Sequence, residues 1–377
     1  MVKKRMLIRS IAVSVVVILL VAVCGRESRS LRQVRHTKLQ RVGASYSADV
    51  PPMITFVNVA LGGFRGVIAD MLWLRVSKLQ EERRFVELVQ LSDWITKLEP
   101  HLADVWVFHA WNMAYNVSVL MSRPEDKWRW VENGFELLRD EGVPLNPRNA
   151  TLCRELGWIF QHKMGMDGDS AVSYYRKEWA REISAYLEDG GKRPGDDTLM
   201  ASELFEWMKM DTAVMADLEE RFGTIDWRLP DAQSLYWGMR GLENARTNEQ
   251  LPCRRMIYTS LIEMARRNGK LVGDPLVEGY VFQAVPNTGL IDPTVAFLEE
   301  TMAKHTFSGI RYAYVGFLRD AMRIRMMEKR EAEARALYDK LVAFFSGKTD
   351  QKLPPFEQTL AAEDSVFEKM LLSAGFR

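Results

Sequence analysis

The chain has 377 residues, 47% hydrophobic and 27% charged, an ordinary globular composition with enough apolar mass for a sizeable core. Its 51 basic and 50 acidic side chains leave a net charge of +1, so at whole-chain level there is no electrostatic signature of nucleic-acid or polyanion binding. Three cysteines, Cys24, Cys153 and Cys253, are too few and too scattered for a disulfide framework or a paired-cysteine zinc site, and a Cys153–Cys253 bridge is the one pairing left open.

The first 25 residues, MVKKRMLIRSIAVSVVVILLVAVCG, open on Lys3, Lys4 and Arg5 and then turn almost wholly apolar from Ile11 to Cys24. Counted from Met6 to Gly25, with Arg9 reaching to the interface, they make about 30 Å of helix, enough for one membrane span. A single-pass signal-anchor over 1–25 is therefore expected, with a short cytoplasmic tail and an exported body. In a bacterial cell this would be the inner membrane, with the body in the periplasm. Two alternatives are cleavage and lipidation at Cys24, although Val23 stands where lipoprotein signals carry a small residue.

Residues 26–64 begin with a polar, basic stretch holding Arg26, Arg29, Arg32, Arg35, Lys38 and Arg41, which reads as a juxtamembrane linker suited to anionic headgroups or as a solvated spacer. Pro51 and Pro52 follow. The apolar run after them is interrupted by Gly62, Gly63, Arg65 and Asp70, too early for a second span.

From Gly66 onward the apolar spacing is helical almost throughout, with Pro and Gly at boundaries and no alternation long enough for a sheet, so the fold class is all-α. Helices are expected over 66–82, 84–98, 103–120, 125–140, 150–163 and 170–188, joined by short turns. Such hairpins in series prompt a search for repeats. With Pro100 of KLEP as the end of one unit, the next starts at Ala103 and has Trp106 at position 4 and Ala110 at position 8. From Pro147 of PLNP, the unit starts at Ala150 and has Leu156, Gly157 and Phe160 at positions 7, 8 and 11.

This pattern resembles the tetratricopeptide repeat (TPR), a 34-residue helix-turn-helix unit with a W-x2-L-G-x2-Y signature and a terminal Pro. It also resembles membrane-anchored bacterial repeat proteins of unassigned function. The unit from Ala103 carries an insertion in SVLMSRPED, and the one read back from Pro100 matches less well, with Val76 and Ser92 at the small positions. The expected organisation is TPR-like repeats over 65–190, a connecting segment over 191–230, a second helical-repeat region over 231–346 and a C-terminal tail helix over 347–377.

In this family the first helix of each unit lines a concave surface, and the resemblance carries positions 2, 5, 9, 12 and 13 onto two sets of residues. They are Asp104, Val107, Trp111, Ala114 and Tyr115 in one unit, and Thr151, Arg154, Trp158, Gln161 and His162 in the next. The groove so implied has Trp111, Tyr115, Arg154, Trp158, Gln161 and His162 around it, aromatic faces with polar tips that suit an extended peptide or a sugar. The plainer alternative is that these indoles cement one helix to the next.

The sequence carries no complete catalytic or ligand-binding motif. SGKT at 346–349 has Val342 where a phosphate loop needs Gly, and the Asp167, Asp169, Glu178 spacing has Val172 where a calcium loop needs Gly. His36, His101, His109, His162 and His305 show no metal spacing, and there is no nucleophile elbow. The stretch FGTIDWRLPDAQSLYWG reads as a structural clamp. No catalytic residue, cofactor or metal is expected. The expected function is a membrane-tethered scaffold holding a partner protein or peptide, with no nucleic acid. The alternatives are a glycan-active or glycan-binding protein, whose enzymatic form needs two carboxylates about 5 to 9.5 Å apart, and a subunit for self-assembly.

Overall fold

The computed structural model describes residues 65–349 and 351–376. The expected membrane anchor, Cys24 and the basic linker lie outside the described residues. Among those described, no helix is long and apolar enough to cross a membrane. The fold is all-α, and the described residues all belong to one compact unit. Helices α1 (Arg65–Glu81) and α2 (Phe85–Leu98) make the first hairpin. Helix α3 (Ala103–Trp111) runs on through a π turn, Asn112–Val117, and pairs with α4 (Pro124–Glu136), which ends in its own π turn, Leu137–Gly142. Helix α5 (Ala150–Trp158) likewise continues as a π turn, Ile159–Met164, before α6 (Val172–Ser184).

The segment expected as a connector contains α7 (Leu199–Met208) and α8 (Thr212–Phe222). Then come α9 (Pro230–Asn244), α10 (Thr247–Arg266), α11 (Ile291–Lys304), α12 (Ser308–Met327) and α13 (Glu331–Phe345), and the tail holds two short helices, α14 (Phe356–Ala361) and α15 (Asp364–Ser373). One departure from helix is a small antiparallel ladder, β1 (Lys270–Leu271) against β2 (Ala284–Val285).

Local chemistry accounts for the helix starts. Asn149, two residues after Pro147, caps α5 by accepting the Leu152 amide at 3.0 Å; Thr198 and Asp211 do the same for α7 and α8. Pro100, at the end of the hairpin before α3, offers its carbonyl to the Trp106 indole and the Asn146 amide, each at 2.9 Å. That contact ties the start of α3 to the turn that precedes α5.

Small residues set how closely the helices approach. A methyl group on Gly134 of α4 would stand 2.9 Å from the Ala110 carbonyl and 3.1 Å from the Ala114 methyl, so α3 and α4 meet at the small position read from the sequence. Gly157, the corresponding position of α5, does something else. Its nearest neighbours are Met256, the Ser234 carbonyl and Trp237, which belong to α10 and α9. The second helix of that hairpin, α6, instead presses on the π turn through Trp179, whose ring centre is 4.7 Å from Phe160 and 5.6 Å from Phe135. The flank of α5 at Gly157 is thus left for α9, whose first half is wholly buried.

The connector is held by the clamp. Asp226 and Arg228 form a buried pair at 2.8 and 2.7 Å, and Asp226 also accepts the Leu271 amide at 2.8 Å, fastening the β ladder. Gly191 lies over this pair with φ of +76°, where a methyl group would collide with the Asp226 carboxylate. Cys153 and Cys253 are buried and free, and burial pushes their thiols up to about 12 and about 11. The bridge left open by the sequence is not formed.

Between α4 and α6 the carboxylates of Glu132, Glu136 and Glu182 crowd around Arg139. Burial, then the Glu132 charge, pushes Glu182 up to about 7, from an ordinary 4.5. The folded state therefore holds a proton that the unfolded chain has lost over that interval. This stabilisation is fully present below pH 4.5 and is lost as pH rises through about 7. Glu182→Gln should raise stability by about 1–3 kcal/mol above pH 7 and flatten the profile. Urea unfolding at pH 5 and pH 8 checks this, and an identical pH slope in the variant would contradict it.

Candidate functional site

Helices α3 and α5 have the same internal plan. Each runs nine residues as α-helix, ends on a tryptophan, Trp111 or Trp158, and then widens into a π turn. Four positions after each indole stands a second ring, Tyr115 or His162, which the helix places on the same face. Trp111 and Tyr115 lie 4.9 Å apart, and Trp158 stacks on His162 at 4.9 Å with 15° between planes. Tyr115 and His162 approach to 5.7 Å across the helix boundary. Four rings therefore form one continuous run, Trp111–Tyr115–His162–Trp158, over two neighbouring helices.

Polar groups orient the run. The Trp111 indole, 36% exposed, donates to Glu155 at 3.1 Å, and Glu155 is itself only 9% exposed. Arg154 donates to the other oxygen of the same carboxylate at 3.0 Å, so its guanidinium is turned along α5. Lys163, 5% exposed, sits 5.4 Å from the Tyr115 ring and pairs with Asp169 at 2.6 Å. Burial holds the Tyr115 phenol well above its usual range, and its hydroxyl has no hydrogen-bond partner among the described residues. Burial and the Lys163 charge lower the His162 imidazole, so this ring is neutral at physiological pH.

Of the six residues expected around the groove, Trp111, Tyr115, Arg154, Trp158 and His162 come together and Gln161 does not. Gln161 is 5% exposed and donates to the Met256 carbonyl at 2.9 Å and the Ser260 hydroxyl at 2.7 Å, bonding α5 to α10. Ala114, at the same repeat position, is also fully buried, against Gly134. The wider turn that begins after each indole carries position 12 inward while position 13 stays on the open face. A uniform α-helical count misses that shift.

Glu155 and Lys163 were not legible as site residues. Glu155 reads as one of many helix-face carboxylates, and its role depends on Trp111, 44 residues away. Asp169, which falls at a calcium-loop spacing in the sequence, accepts the Ala171 amide at 2.9 Å and is neutralised by Lys163, with Lys127 at 3.7 Å. No group of residues able to hold a metal ion occurs among the described residues. Neither the protein-family models nor the curated proteins compared with this sequence match it.

Proposed function

We propose that this protein is a membrane-tethered, TPR-like scaffold that holds a peptide segment of a partner protein along the face formed by α3 and α5. The observation that carries the reading is the unbroken run of four rings, partly exposed and pinned by Glu155 beneath Trp111. Aromatic faces with a fixed hydrogen-bonding edge supply contact area at low entropic cost, the usual make-up of a binding hot spot. The apolar, Lys/Arg-led first 25 residues supply the anchor, with the body on the exported side.

A photo-crosslinking amino acid in place of Tyr115, in cells, should capture one partner, identified by mass spectrometry. Trp111→Ala and Trp158→Ala should each weaken that partner's binding by about 2 kcal/mol, over tenfold. Equal binding by both variants would remove the groove from the account. A glycan ligand is the second reading, favoured by the parallel Trp158–His162 platform. For hydrolysis its two named carboxylates are both engaged, Glu155 by Trp111 and Arg154 and Asp169 by Lys163.

A further inference from the structure

On the opposite side of α3 lies a second concavity, unrelated to the run of rings. It is a cleft of 530 Å³ between α2, α3 and α4. Its walls carry four carboxylates, Asp93 from α2 and Glu136, Asp140 and Glu141 from α4 and its π turn. Two cations answer them. Lys97 pairs with Asp93 at 2.7 Å, and Arg139, itself buried, pairs with Asp140 at 2.8 Å and Glu136 at 3.2 Å. Glu141 has no ion-pair partner among the described residues, and burial with the Asp93 charge raises its carboxyl. The cleft therefore has unbalanced negative charge, which a positive ligand would relieve.

An acidic wall alone would say little. The lining at His109 is the second observation. This ring is 3% exposed, and neither of its nitrogens has a hydrogen-bond partner among the described residues. Buried polar groups are nearly always paired, so an imidazole with both nitrogens idle is an exception that asks for a cause. Burial pushes His109 down to about 4, so it is neutral and keeps one nitrogen as a hydrogen-bond acceptor. Val89, Met113 and Leu137 add apolar surface beside it, and Trp130 adds an aromatic face.

We infer that this cleft binds an organic ammonium or guanidinium cation with an apolar stem, its N–H groups shared between Glu141, Asp93 and the unpartnered His109 imidazole. Such a cation reaches the site as a lysine or arginine side chain of a basic peptide or as a free polyamine. The stem packs on Leu137 and Met113, and Trp130 offers its π face to the charge. A hydrated metal ion fits less well, because it gains nothing from the apolar lining and the neutral ring is its one nitrogen ligand.

The test uses the purified full chain in calorimetric titrations with spermidine and with a capped peptide of alternating lysine and alanine, at low and at physiological salt. Binding is expected, weaker at the higher salt, with Glu141→Gln and His109→Leu each losing at least fivefold. The Glu141 side chain lies at the cleft mouth and makes no ion pair among the described residues, so Glu141→Gln is expected to keep the fold and carries the test even if His109→Leu unfolds. Spermidine binding as tight as the peptide's identifies a polyamine site, and binding of the peptide alone identifies a partner's side chain; each supports the cation chemistry. Absence of binding by both probes, or an unchanged affinity in Glu141→Gln, overturns the proposal. Trp111→Ala should leave these titrations unaltered, so the cleft and the aromatic face stand or fall separately.

Discussion

Asp226→Ala should destabilise the protein by about 3–5 kcal/mol, because it strands the Arg228 guanidinium without its counter-charge in a site 7% exposed. The carboxylate takes two hydrogen bonds from the Arg228 guanidinium, one from the Arg228 amide and one from the Leu271 amide, so its removal unfastens both the connector and the β ladder. The pair as a whole contributes much less than either half suggests, since desolvating two charges offsets most of their attraction. Replacing both, Asp226→Leu with Arg228→Met, should therefore cost well under the single change. Denaturant unfolding of the two variants decides the matter, and a single-variant loss below about 1 kcal/mol would mean that water reaches Arg228 and the clamp is superficial. Gly191→Ala should reproduce part of the loss, since its methyl group would occupy the position of the Asp226 carboxylate.

Trp179→Ala should cost about 3–5 kcal/mol, the usual range for emptying a buried indole site. Trp179 is 1% exposed and meets Phe160 at 4.7 Å and Phe135 at 5.6 Å, both edge-on, so it joins the second helices of two hairpins to the π turn of α5. Its indole N–H has no partner among the described residues, so Trp179→Phe keeps most of the contact and should cost no more than half as much. Thermal melts of the pair measure the difference. Equal losses for Ala and Phe would show that the full extent of the indole, not a single aromatic ring, is needed to fill the site. His162 and Trp158 are close in sequence to Phe160, so the Ala variant is also expected to broaden the signals of the groove rings.

Much of the fold was readable along the chain. The six expected helices up to residue 188 appear within a few residues of their bounds, because apolar spacing, Pro and cap residues act over one or two turns. Helices do start three residues after the prolines at 100 and 147, and Trp111 and Trp158, counted from them, belong to one run of ring contacts across α3 and α5. The π turns left no local trace, and they are what turned Gln161 and Ala114 inward. The segment 191–230 matched no repeat pattern, yet it folds into α7 and α8 and delivers α9 against Gly157.

The sequence alone settled the all-α class and the starts of α3 and α5, since both rest on spacings within a hairpin. Only the tertiary structure decided that Glu155 lies beneath Trp111, that α9 and α10 rather than α6 fill the notch at Gly157, and that His109 lines an acidic cleft with its nitrogens unpaired. Each of these joins groups from separate helices. Their approach is governed by how bulky and small side chains interlock across the core, which no count along one chain contains.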